Sequence, residues 1–206
     1  ISSLIKGYSP ATYLINFGTS WQIDEYGSSV PFNAYAASKS AVEPFLQHFA
    51  QDGARIATLR LYDTYGPLDT RRKIVNLIAD ALMSGTNLPM SPGGQAIDLI
   101  HVDDVVAAVD CTIEFLRRQT SGVHAIFAVR SGSPTTVLHL LDMMTHLSGR
   151  SSEKISPGSF PYRPRERLSL FADTITPPGW YPRISLESGL AEVLEARRHG
   201  LVNPSV

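Results

Sequence analysis

Cysteine is all but missing from these 206 residues: Cys111 stands alone, so no disulfide can close within the chain. A reducing compartment, the cytoplasm, is the natural expectation. No apolar run approaches the roughly 20 residues needed to span a bilayer. The opening ISSLIKGYSP lacks the basic and apolar regions of a secretory leader. Charge of one sign is lacking too, and a formal net charge of −1 gives no global field for nucleic acid or an acidic membrane. There is no internal repeat and no low-complexity tract. With 43% hydrophobic and 18% charged residues, the composition is that of a folded globular chain rather than a disordered one. At this length it can bury a proper core.

What is present alternates. Residues 12–17, TYLINF, form an apolar run suited to a buried strand, with Gly18 expected to close it. A helix is expected over 34–51, with Ala34, Ala37, Ala41, Phe45 and Phe49 on one stripe and a kink at Pro44. ARIATLRLY at 54–62 reads as a second buried strand, and DTYGPLD as a turn. A helix over 72–84, a strand over 97–102, a helix over 104–118 capped by Asp103, a strand over 123–129 and a helix over 135–148 follow. Beyond Gly149 the polar, proline-rich SSEKISPGSFPYRPRER reads as a surface loop, and Ser185 caps a last helix over 185–198. Alternating buried strands and helices indicate an α/β fold with a largely parallel sheet.

Residues 35–39 read YAASK. On a helix, positions i and i+4 share a face, so Tyr35 and Lys39 point the same way. A free tyrosine loses its proton near pH 10, and a neighbouring ammonium favours the charged phenolate. Such a phenol can exchange a proton with an alcohol or carbonyl, the companion step to hydride transfer. Thr19 and Ser20 follow the preceding strand in NFGTSWQ, where ligands bind in open α/β sheets. A hydroxyl there can hold the same substrate oxygen.

At this point the sequence resembles the extended short-chain dehydrogenase/reductase superfamily, and within it the NAD-dependent epimerase/dehydratase family of nucleotide-sugar enzymes. Besides YAASK, RLYDTYGP at 60–67 resembles that family's R-x-x-N-x-Y-G-P segment. SGTNLPMSPGGQAIDLIHVDDVVAAV at 84–109 resembles its G-x-Q-x-R-D-F-I-H-V-D-D-V segment, and YRPRERLSLFAD with GWYPRISLESGL resembles its C-terminal signature. The resemblance implies the second half of a Rossmann-like parallel sheet with a small C-terminal α/β substrate-binding lobe. Residues 1–160 would be mostly dinucleotide-binding domain, with substrate-lobe segments interleaved at about 68–100, and 161–206 the lobe itself.

It also implies roles. Tyr35 would be the acid/base, and Lys39 would hold the nicotinamide ribose and ease the loss of the Tyr35 proton. Ser20, or Thr19 beside it, would contact the sugar oxygen, with Trp21 next to it on the substrate side. Tyr62, Asp63, Thr64 and Tyr65 would line the wall between cofactor and substrate, with Tyr62, Thr64 and Tyr65 toward the cofactor and Asp63 toward the substrate. Arg163 would pair with the diphosphate, and Glu166 with the nucleotide ribose. The implied cofactor is NAD or NADP, the substrate a nucleotide-diphosphate sugar, and the assembly a homodimer.

Three departures qualify that pattern. The family's glycine-rich phosphate loop does not precede Tyr35: Gly7, Gly18 and Gly27 do not make G-x-x-G-x-x-G. The chain is therefore expected to be the C-terminal part of a longer protein. Ile97 stands where the family has an arginine, and Asp63 where it has an asparagine, and a carboxylate beside a diphosphate is repulsive unless neutralised. Ser20, Trp21 and Gln22 follow Thr19 where 4,6-dehydratases carry Asp-Glu, so an epimerase or 4-keto reductase is favoured. A non-catalytic binding or regulatory module of the same scaffold is the alternative. No metal site is expected: His139, Asp142 and His146 read as a polar helix face, and His101 with Asp103 and Asp104 as a strand end and helix cap. The cluster Arg163, Arg165 and Arg167 fits a diphosphate better than nucleic acid. Cys111 reads as a buried thiol, and Trp180 as a packing anchor for the last helix.

Overall fold

The computed structural model describes residues 13–202; Gly7, Thr12 and the opening decapeptide lie outside them. Its contacts divide the chain into two units.

The first unit comprises residues 1–62, 104–130 and 171–181. Its centre is a parallel sheet in the order β1 (Tyr13–Thr19), β2 (Arg55–Leu61), β7 (Val123–Val129). The register runs from Tyr13 opposite Arg55 to Thr19 opposite Leu61, and from Arg55 opposite Val123 to Leu61 opposite Val129. β1 and β2 are joined through α1 (Ala34–Ser40) and α2 (Glu43–Gln51). Gly18 does not close β1 but lies inside it. A Cβ there would come within 2.5 Å of the Gln22 Oε1 and 3.2 Å of the Thr58 Cγ2, so the glycine is fixed by space rather than by chain reversal.

The long helix expected over 34–51 is two helices. Pro44 sits in the first turn of α2, where a missing N–H breaks no helical bond, and this accounts for a proline in the run. The buried positions are Ala36, Leu46 and Ala50, whereas Ala34, Ala37, Ala41 and Phe45 are exposed. An alanine-rich run offers an apolar stripe on more than one face, so periodicity alone selected the wrong one. Leu46, Ala54 and Ile56 instead form a small core with Leu14, Val42 and Phe49 packed against it.

The second unit comprises residues 63–103, 131–170 and 182–206. Its helices are α3 (Ile74–Ser84), α5 (Val137–Ser148) and α6 (Leu186–Arg198). Val75, Ile78 and Leu82, Leu140, Leu141 and Met144, and Leu190, Val193 and Leu194 recur at helical spacing and form one core. Each such side chain contributes about 1.5–3 kcal/mol on burial. α3 and α5 end on Gly85 and Gly149, both left-handed at φ 66° and 64°, where a glycine carries no Cβ penalty. Ser185 caps α6 as expected, accepting from the Ser188 N–H.

Short strands decorate this unit. Part of the expected turn DTYGPLD is strand β3 (Asp63–Tyr65), parallel to β6 (Leu99–His101). Asp98 interrupts the expected strand 97–102, leaving β5 (Ala96–Ile97) to pair antiparallel with β8 (Thr135–Thr136). Thr136 caps α5, so that helix begins two residues later than expected. Inside the expected loop, Ile155 is buried, and β9 (Ile155–Ser156) pairs with β4 (Leu88–Pro89).

Helix α4 (Val102–Arg117) begins ahead of Asp103, which is thus in its first turn rather than its cap. Cys111 is half-buried rather than buried. Trp180 is buried, and its indole N–H donates to the Asp104 carbonyl at 2.9 Å, which anchors segment 171–181 to α4. No helix among the described residues is long and apolar enough to cross a membrane.

Candidate active site

In the first unit the groups of interest gather where β1 ends. Thr19 caps a 3-10 turn, Ser20–Gln22: its hydroxyl accepts from the Trp21 N–H, and its own N–H donates to the Gln22 Oε1 at 2.8 Å. This reciprocal capping commits Thr19 to the backbone. Ser20 is 8% exposed, and its hydroxyl has no hydrogen-bond partner among the described residues, so of the two it is the one available to a ligand. Trp21 packs edge-on against Phe32 with ring centroids 5.3 Å apart, and the Phe32 N–H donates to the Trp21 carbonyl at 2.9 Å. The strand end and the start of α1 are thereby tied together.

Asn33 caps α1 by accepting from the Ala36 N–H at 2.9 Å. Ala36 is fully buried, and α1 packs on β1 through it. Tyr35 is 55% exposed, and its hydroxyl has no partner among the described residues. The Lys39 Nζ lies 5.8 Å from the centre of the Tyr35 ring, on the shared face that the i, i+4 spacing demands.

Beneath these groups runs a buried polar chain that the sequence did not reveal. The Gln22 Nε2 donates to the Glu43 Oε1 at 2.9 Å, and the Arg60 Nη2 donates to both Glu43 oxygens at 3.1 Å. On the same sheet, Thr58 bonds to the His124 Nε2 at 2.9 Å and receives the Asn16 amide at 3.2 Å. Burial and the Arg60 charge hold the His124 pKa below its usual value against the pull of Glu43. The available signal was Arg60 itself, a charge beside the buried run of a largely apolar strand, which must be paired. Tyr62 is buried, donates to the Phe171 carbonyl at 2.9 Å and lies beneath the Arg130 guanidinium.

The second unit gathers charges. Asp63 is half-buried, and its N–H donates to the Asp98 carbonyl at 3.0 Å. Desolvation pushes its carboxyl up to about 6, helped by Asp98 and opposed by Lys73 and Arg163. Lys73 is the residue that the sequence reading missed, hidden in the basic run RRK. Its Nζ donates to the Thr64 carbonyl at 3.2 Å, and burial with the nearby Arg71 lowers its pKa. Lys73 and Arg163 thus supply the neutralising charge that a carboxylate at position 63 requires.

Arg163 and Glu166 are brought together, as a bidentate pair at 2.9 and 2.8 Å. Thr64 is half-buried. Tyr65 is in the core, edge-on to His101 at 5.4 Å. Ile97 lies in β5, and the buried Asp98 carboxylate accepts from the Ser131 N–H and hydroxyl at 2.7 Å each. His101 is buried. Its Nδ1 accepts from the Asp103 N–H at 3.2 Å, and its Nε2 lies 3.4 Å from Glu192, a structural arrangement. His139, Asp142 and His146 are exposed on α5.

The class this defines is an α/β protein with a Rossmann-like parallel sheet and an α-helical unit rich in paired charges. A match to the NAD dependent epimerase/dehydratase family spans residues 17–126. Over 96 residues the chain is 36% identical to CDP-abequose synthase of Yersinia pseudotuberculosis, covering 46% of this chain and 34% of that protein. Over 164 residues it is 27% identical to UDP-glucuronic acid decarboxylase 3 of Arabidopsis thaliana, covering 77% and 46%. The UDP-glucose 4-epimerase of Thermotoga maritima, solved with UDP-glucose, superposes with a TM-score of 0.77 at 23% identity, over 92% of this chain and 64% of that one. The chain thus spans between a third and a half of the length of these curated relatives. It belongs to the NAD dependent epimerase/dehydratase family.

Proposed function

We propose that the chain carries the proton-transfer and substrate-gripping parts of an NAD(P)-dependent enzyme acting at C4 of a nucleotide-diphosphate sugar, as an epimerase or a 4-keto reductase. One observation carries the reading: the Lys39 ammonium lies over the Tyr35 ring, and the Tyr35 hydroxyl has no partner among the described residues. Lys39 forms no ion pair with a carboxylate among the described residues, so its donors fit the hydroxyls of a nicotinamide ribose. When bound, the nicotinamide supplies the acceptor and donor of hydride.

The chain's own residues supply the rest. Ser20 fixes the C4 oxygen by a hydrogen bond. Tyr35, as the phenolate, takes the proton of the C4 hydroxyl; as the phenol, it returns a proton to the C4 oxygen of a ketone. Gln22 bonds Glu43 and the Thr19 backbone and carries no carboxylate, which supports an epimerase or reductase over a dehydratase. Arg163 grips the diphosphate once Glu166 turns to a ribose hydroxyl, and Asp63 meets the substrate beside Lys73. Pairing of two copies through the α1–α2 face, where Phe45 is 55% exposed, belongs to the same proposal.

Tyr35→Phe in the intact protein should lower turnover of UDP-glucose or dTDP-glucose by about 10²–10⁴-fold. Turnover at the normal rate would overturn the mechanism. A non-catalytic module is the second reading, favoured by the closed Arg163–Glu166 pair. Titration with NAD(H) and NADP(H) separates the two, since a module would bind neither.

A further inference from the structure

We propose that Gln22, Glu43 and Arg60 are positioning residues: a largely water-shielded relay that sets the Ser20 hydroxyl and governs turnover without touching substrate. This rests on the reading above and gives three residues a part in turnover that it did not assign to them.

The relay has a fixed polarity. Arg60 can only donate, and its Nη2 reaches both Glu43 oxygens at 3.1 Å. Glu43, accepting from it, also accepts from the Gln22 Nε2 at 2.9 Å. That contact decides which way the Gln22 amide faces. With its NH₂ turned to a carboxylate, its Oε1 is turned to the Thr19 N–H, 2.8 Å away. An amide flipped end for end would set donor against donor at Thr19 and acceptor against acceptor at Glu43. Gln22 is 1% exposed, and the Arg60 and Glu43 side chains are 16% and 19% exposed, so water is a poor substitute for any of these bonds.

Gly18 is an independent witness to this arrangement. Its φ is not in the left-handed region, so it is not needed for a turn. A Cβ on it would lie 2.5 Å from the Gln22 Oε1. Glycine is the residue that leaves the amide room to lie along the strand and reach Thr19.

Ser20 is the next residue. The Thr19 N–H and hydroxyl are both committed to the 3-10 turn, so whatever fixes that turn fixes where the Ser20 hydroxyl points. A displacement near 1 Å at such a group can cost about 10²-fold in rate.

The test uses the intact protein, with amide exchange at Thr19 followed by NMR and turnover measured with UDP-glucose and dTDP-glucose. Gln22→Ala should speed exchange at Thr19 by about tenfold or more, and lower kcat by about 10–100-fold with KM within about threefold. In a Ser20→Ala background the same change should lower kcat by less than about twofold, because it acts through Ser20. Glu43→Gln keeps the volume but frees the amide to flip, and should show a smaller loss of the same kind. It carries the same readouts if Gln22→Ala does not fold. Equal losses in the wild-type and Ser20→Ala backgrounds, or unchanged exchange at Thr19, would overturn the relay. Normal turnover by Tyr35→Phe marks a separate failure, that of the hydride-transfer reading, and removes the claim on turnover with it.

Discussion

The two units treat their polar groups in opposite ways. In the first, three groups are left open: among the described residues the Tyr35 and Ser20 hydroxyls have no partner, and the Lys39 ammonium lies only against a ring face. The paired charges, Arg60 with Glu43, are half-buried. In the second unit the charges answer one another. Arg163 closes on Glu166, Asp63 lies near Lys73, and the buried Arg197 joins α6 to Asp80 on α3 and to the carbonyls of Pro67 and Asp69. Open groups suit chemistry, which needs a reacting atom to displace only water. Closed pairs suit grip, where a ligand must compete with a protein partner and so is selected for the right charge.

That contrast can be broken at graded cost. The largest effect belongs to Lys39→Met, which should weaken NAD(H) binding and lower kcat together, by about 10²-fold or more in kcat/KM. Arg163→Ala should raise KM for UDP-glucose by about 10–100-fold and leave kcat nearly unchanged, since it removes binding felt equally by ground and transition states. If Arg163→Ala lowered kcat instead, the division between chemistry and grip would be wrong. Next, Leu140→Ala in the helical core should lower unfolding free energy by about 2–5 kcal/mol in denaturant titration.

Smaller again is Asp63→Asn. The Asp63 carboxyl binds its proton more tightly folded, at about 6, than unfolded, near 3.8. Its contribution to stability is therefore fully present below pH 3.8 and is lost as pH rises through 6. Asp63→Asn should accordingly stabilise the protein by on the order of 2 kcal/mol at pH 7.5 and by almost nothing at pH 3.5. A stability difference independent of pH would contradict the rise of the Asp63 pKa by desolvation and by Asp98.

The sequence carried the sheet well, because its strands are apolar runs between glycine- and proline-rich turns: β2 and β7 fell within a residue of their expected bounds. It carried the Tyr35–Lys39 face for an equally local reason, since helix spacing alone aligns i and i+4. Short strands escaped it. β3 and β5 are two or three residues long and exist through pairing with segments 34 or more residues away, which periodicity does not sense. The buried face of α1 and α2 was misread because alanine marks no side. Gln22, Glu43 and Lys73 escaped for another reason: each is an ordinary polar residue until tertiary packing removes its water. The resemblance already favoured Ser20 over Thr19; that the Thr19 hydroxyl is committed to a cap required the structure.

The central claim is that Tyr35 transfers the proton that accompanies hydride transfer. Its most direct test is single-turnover reduction of bound NAD by a nucleotide sugar in Tyr35→Phe, with cofactor binding verified by titration. The account predicts normal cofactor affinity and a hydride-transfer step slowed at least about 100-fold. Reduction at the wild-type rate would contradict it.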